Sequence, residues 1–145
     1  NVVTEEYGTA LASAQEAQEI LARLGHKKGQ ALALHVRSQV HLAKDETGKA
    51  MDLAMEARKF CRLVEDRKGE ANVLSQVVVA RLRECEKALA LLDSKGISKG
   101  GVKEQQRLLA AAKRDASKRS KQALGLAKKV DDKVLAGDAL IYLAQ

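Results

Sequence analysis

The chain has 145 residues, enough for one domain with a buried core. It contains no proline, only 2% of it is aromatic, and the helix formers alanine, leucine, lysine, glutamate and glutamine dominate, which argues against a β-sandwich and for an all-α fold. The net charge is +7, and no apolar run approaches the ~20 residues of a bilayer span, so no transmembrane segment is expected.

Thr4 followed by Glu5 and Glu6 reads as an N-cap with acids in the first helical turn. Ala10, Ala14, Ala17, Leu21 and Leu24 then recur at three- and four-residue steps, marking one apolar helix face that Gly25 ends. A second helix is expected over 28–43, with Ala31, Leu34, Val40 and Leu42 inward. Thr47 is a candidate N-cap for a third, which carries Ala50, Leu53, Ala54, Ala57, Phe60 and Val64. Residues 8–44 laid over 48–84 give ten identities in 37 positions, among them Lys28/Lys68, Gly29/Gly69, Ala31/Ala71 and Leu34/Leu74. Self-similarity at this spacing is the mark of stacked helical repeats. A weaker third copy of the signature follows at Val130, Asp131, Asp132 and Lys133.

The forty-residue beat then fails. Leu74, Val77, Val78, Leu82, Cys85, Leu89 and Leu92 stay on one face, which predicts a fourth helix running on to about Asp93. After a loop at 94–101, a fifth long helix is expected over 102–130, so that 70–130 forms one extended αα-hairpin. A sixth helix is expected from Lys133, cut off at Gln145. That ending, and the lack of an initiator methionine, point to a fragment or processed form of a longer chain.

Residues 1–94 carry 14 Lys/Arg against 14 Asp/Glu, whereas residues 95–129 carry 11 against 2. On a helix, Lys103, Arg107, Arg114, Lys118, Lys121 and Lys128 fall on one side, a cationic ridge ~40 Å long at ~1.5 Å per residue. Leu108, Ala112, Ala116, Ala123, Leu126, Ala127 and Val130 fall on the other. The ridge is either a solvated lysine-rich face or a contact with something acidic: a protein surface, anionic lipid or nucleic acid. The stretch has no aromatic residue to stack on bases, and its apolar face is small and alanine-rich, so an acidic protein surface is favoured.

Catalytic and metal chemistry is not advertised. His35 and His41 are six residues apart and cannot converge as an i, i+4 pair would, so no metal is expected. Gly96, Ser98, Lys99, Gly100 and Gly101 lack the Gly-Lys-Ser/Thr ending and the preceding strand of a phosphate loop. No cofactor is expected, and the chain reads as non-enzymatic. Cys61 and Cys85 fall among apolar helical neighbours, as buried thiols do in a reducing compartment.

Between Leu34 and Ala57 the pattern resembles the tetratricopeptide repeat in a degenerate forty-residue form. Leu34 falls on its bulky first position, Ser38 on its small position, His41 on its aromatic position and Ala50 and Ala57 on its alanines. Ala54 stands where the family has a large aromatic, and Arg37 where it has leucine. The resemblance implies a right-handed stack of antiparallel helix pairs, an α-solenoid of about six helices in a single domain over 1–145. It also implies a partner-binding groove lined by His35, Val36 and Gln39, then Asn72, Ser75, Gln76 and Val79, then Asp138, Ile141 and Tyr142. The Lys/Asn clamp with which some members hold a C-terminal carboxylate is missing from these positions. The expected role is a protein–protein interaction scaffold, an accessory subunit of a larger assembly in the cytoplasm or in an organelle such as a plastid or mitochondrion. The alternative is a basic helical module that binds RNA or an anionic membrane through 103–128.

Overall fold

The structure, a computed structural model, describes residues 2–130, all of it helix and short joints. In order these are α1 (Val2–Arg23), α2 (Lys27–Ala43), α3 (Thr47–Leu63), α4 (Arg67–Asp93) and α5 (Lys99–Val130). Each helix packs on the next in sequence, and α2 also touches α4. The expected sixth helix, the third signature copy, Asp138, Ile141 and Tyr142 lie outside the described residues.

The first three joints are built alike. Gly25, Asp45 and Glu65 have φ of 67°, 63° and 57°, so one left-handed residue ends each helix at a step of 20 residues. After α1, the His26 amide donates to the Leu21 carbonyl (2.9 Å) and the Gly25 amide to Ala22 (3.1 Å). After α2, Glu46 donates to His41 and Asp45 to Leu42; after α3, Asp66 donates to Cys61 and Glu65 to Arg62. All three are Schellman motifs, which satisfy the last carbonyls of each helix and turn the chain at once into the next.

His26, Glu46 and Asp66 are the N-caps that follow. The His26 Nδ1 accepts from the Gly29 amide at 2.9 Å, and the Asp66 carboxylate from the Gly69 amide at 3.0 Å. The repeated glycine serves these two caps. Gly29 and Gly69 lie inside the first turns of α2 and α4, not in the turns between helices. A Cβ at residue 29 would stand 2.7 Å from the His26 Nδ1 and 2.8 Å from a Leu21 methyl, and one at residue 69 would overlap the Asp66 carboxylate. The glycine makes room for the capping side chain. At the middle joint Glu46 makes no cap bond, and Gly48 has open space around it.

Other boundaries also differ from expectation. Thr4 is within α1, which starts at Val2. Thr47 is the first residue of α3 rather than its cap, and its hydroxyl is 3.4 Å from the Glu84 carboxylate. Ser98 caps α5 by accepting from the Gly101 amide at 3.0 Å, so the loop is shorter than 94–101 and α5 starts at Lys99.

The core lies where α2, α3 and α4 meet: Ala31, Leu34, Ala54, Ala57, Cys61, Val73 and Val77, with Met51, Leu53, Met55 and Phe60 at its rim. Small residues let the helices approach closely. Ala50, Ala54, Ala57 and Cys61 form one stripe of α3; Ala112, Ala116, Ser120, Ala123 and Ala127 form the buried stripe of α5. Leu74 sits against Ala123 with Leu124 and Leu126 beside it. Leu34 and Leu74 are fully buried, each worth ~1.5–3 kcal/mol of transfer from water. Leu24, Val64, Leu89, Leu108 and Val130, expected on apolar faces, are exposed, while the neighbouring Ala88 is buried and Leu109 half-buried.

Polar side chains tie helix to helix. The Ser38 hydroxyl, wholly buried, donates to the Ala50 carbonyl at 2.7 Å. Arg58 and Glu70 pair at 2.9 Å, and Arg83 donates to the Leu42 carbonyl. No described helix is long and apolar enough to cross a membrane.

Candidate functional site

All six ridge residues, Lys103, Arg107, Arg114, Lys118, Lys121 and Lys128, are exposed on α5. The opposite side of the helix is occupied by the alanine stripe that packs on α4. Helix α5 has two acids, and both are engaged. Asp115 accepts from Arg81 at 2.8 Å and lies 3.4 Å from the Arg119 Nε; Arg81 also holds Glu84 at 2.9 Å. Glu104 binds Arg107 through two bonds of 2.7 and 3.0 Å, and the Arg107 guanidinium holds its carboxyl below the usual range. Lys103, Arg114, Lys118, Lys121 and Lys128 have no acidic partner among the described residues. The ridge is thus five uncompensated cations and one paired arginine.

The groove residues divide. The α2/α4 contact brings His35 and Asn72 to the wall of one cleft of about 300 Å³, whereas Gln39, Ser75, Gln76, Val79 and Val36 are not part of it. Gln39 and Asn72 are exposed; Gln76 and Val79 are half-buried; the Ser75 hydroxyl donates to its own helix at the Ala71 carbonyl, 3.1 Å away. Burial pulls the pKa of His35 down. The cleft's remaining wall comes from His26, Lys28, Gly29, Ala31 and Leu32 on one side and Cys61, Asp66, Gly69 and Val73 on the other. Burial, with Asp66 and then Glu70 nearby, raises the Cys61 thiol to about 11.

The cleft and a charged end face were not foreseen. Successive short joints reverse the chain, so the ends of α1, α3 and α5 share one end of the bundle with the starts of α2 and α4. Arg23, Arg62, Lys128 and Lys129 close the three helices that finish there, and Lys27, Lys28, Arg67 and Lys68 open the two that begin. Lys129 and Val130 lie beside Glu65, Asp66, Arg67 and Lys68. Glu65 and Asp66 are the acids of the joints at this end. The opposite joint is balanced: Glu46 bonds Lys44 and Lys49, both at 2.8 Å, and Asp45 bonds Lys87 at 2.8 Å. Residues 1–94 sum to zero charge, yet Arg23, Lys27, Lys28, Arg62, Arg67 and Lys68 come together at one end. A count of charges along the chain cannot register this; placing each cation relative to its nearest joint would have.

Among the described residues no group of three or more His, Cys, Asp or Glu could hold a metal ion. Comparison with family models, curated proteins and solved structures finds no match to this chain.

Proposed function

We propose that this protein is a non-enzymatic scaffold of stacked tetratricopeptide-like helix pairs, a right-handed α-solenoid that docks onto an acidic protein surface within a larger assembly. The observation that carries this reading is the ridge on α5, five cations without acidic partners on a helix whose two acids bond Arg107 and Arg81. Like charges four residues apart cost a helix a few tenths of a kcal/mol per pair, so helix stability does not account for the pattern. The three like joints at a 20-residue step support the repeat architecture, since two helices and two joints make the forty-residue unit.

The test is charge reversal at Arg114, Lys118 and Lys121 together. The full chain and this variant are compared by size-exclusion chromatography of lysate from the cells that make the protein. The native chain is expected to elute in an assembly much larger than its own 15.7 kDa, and the variant to leave it. Parallel titrations with homopolymeric RNA and with phosphatidylserine vesicles test the other acidic surfaces; tight, steeply salt-dependent binding to either would displace the protein-scaffold reading.

A further inference from the structure

The two copies of the repeated signature face each other. Lys28, Gly29 and Ala31 from the first copy and Gly69 from the second line the same cleft, between the first turns of α2 and α4. The two glycines leave its walls low there: a Cβ at 29 would meet the His26 ring, and one at 69 would meet the Asp66 carboxylate and approach the Cys61 sulfur. Its wall is largely apolar, with Val73 and the Cys61 sulfur inside and Leu32, 65% exposed, at its lip. At about 300 Å³ it is about twice the ~150 Å³ cavity that takes up benzene. It also sits at the lower end of the ~300–1,000 Å³ range of ligand pockets. One phenyl or indole ring fits; a long ligand does not.

Lys28 and Asp66 line the cleft, and further cations stand next to each of them in the chain. Lys27 and Lys28 open α2, which has no acid in its first turn, and Arg67 opens α4. None of the three has an acidic partner among the described residues. Cations in a first turn oppose the helix dipole, so they do not serve the helices they begin. Of the three acids nearby, Asp66 is turned onto its own helix at the Gly69 amide and Glu70 pairs with Arg58 at 2.9 Å. Glu65 lies on the side toward Lys129, beside Asp66, Arg67 and Lys68.

We propose that the α2/α4 cleft receives one aromatic side chain from an acidic segment of a partner protein, the flanking carboxylates meeting Lys27, Lys28 and Arg67. This rests on the scaffold reading and gives its partner a chemistry: an aromatic residue among acids. A free aromatic molecule would use the cleft and leave the cations idle.

Fluorescence anisotropy of the full chain with a labelled peptide, one tryptophan flanked on both sides by glutamates, is the test. Replacing the tryptophan by alanine is expected to weaken binding about tenfold or more, as loss of a central anchor does. Replacing the glutamates by glutamines, or making Lys28→Glu, should weaken it about fivefold and flatten its salt dependence. Asn72→Trp, which adds bulk at the cleft wall on an exposed position, should abolish binding while the helical circular dichroism stays unchanged. The proposal is overturned if alanine and tryptophan peptides bind equally, if Lys118→Glu on the ridge removes binding and Lys28→Glu does not, or if free indole competes as well as the peptide. Failure of all peptides while the α5 variant still leaves its assembly would end the cleft proposal and leave the scaffold standing.

Discussion

One oxygen of the Asp66 carboxylate accepts from the Gly69 amide at 3.0 Å, and the other lies where a methyl group on residue 69 would have to be. Capping and the lack of a side chain are therefore one arrangement. Gly69→Ala should displace the cap, at a cost of ~1–2 kcal/mol, against a gain of ~0.5–1 kcal/mol from better helix propensity. The net is a loss. Gly48→Ala meets nothing within 4 Å and should raise stability by up to ~1 kcal/mol. Urea unfolding of the two variants should move in opposite directions.

Glu65 holds a left-handed conformation, φ 57°, that glycine adopts at the same point of the first joint. The strain of a Cβ there is ~1–2 kcal/mol, partly offset by glycine's larger unfolded-state entropy. Glu65→Gly should stabilise by ~0.5–1 kcal/mol in thermal or urea unfolding. Asp45 is the poorer test, because its carboxylate also bonds Lys87.

Two buried serines should behave in opposite ways. The Ser38 hydroxyl bonds the Ala50 carbonyl, so Ser38→Ala should cost ~0.5–1.5 kcal/mol. The Ser120 hydroxyl is buried with no partner among the described residues and stands in a stripe of alanines. Ser120→Ala should gain ~1 kcal/mol by removing an unsatisfied polar group.

Alkaline pH should weaken the fold through Cys61. Its thiol ionises near 9 in the unfolded chain and is held protonated to about 11 in the fold, chiefly by burial. The folded state keeps its proton while the unfolded state loses it, so this contribution is whole below about 9 and is lost as pH rises to about 11. Melting temperatures across that window should fall more steeply for the native chain than for Cys61→Ala. Iodoacetamide should modify Cys61 at pH 8 only once urea has opened the chain.

Much of this architecture can be read before folding. The apolar face that continues through Val77, Val78, Leu82 and Cys85 already requires a helix without a joint near residue 85, and α4 runs to Asp93. The forty-residue spacing is visible because Gly29 and Gly69 serve the same cap geometry. The 20-residue step is hidden because Gly25-His26 stands where the later joints have the acid pairs Asp45-Glu46 and Glu65-Asp66, so the three share a backbone angle and a capping position but no common residue. The ridge follows from helical spacing within one element. The cleft and the basic end face do not, since they depend on which helix ends meet.

Helix α1 touches α2 and no other described helix, and α2 through α5 are joined chiefly as neighbours in sequence. A chain wired in this way has few long-range commitments, so it can loosen from one end without losing the rest. Amide exchange should run fastest in α1 and slowest where α3 and α4 are held on both sides. Mechanically, the molecule is closer to a chain of links than to a sphere: pulled from its first residues, it should give way helix by helix, with a separate force step for each joint.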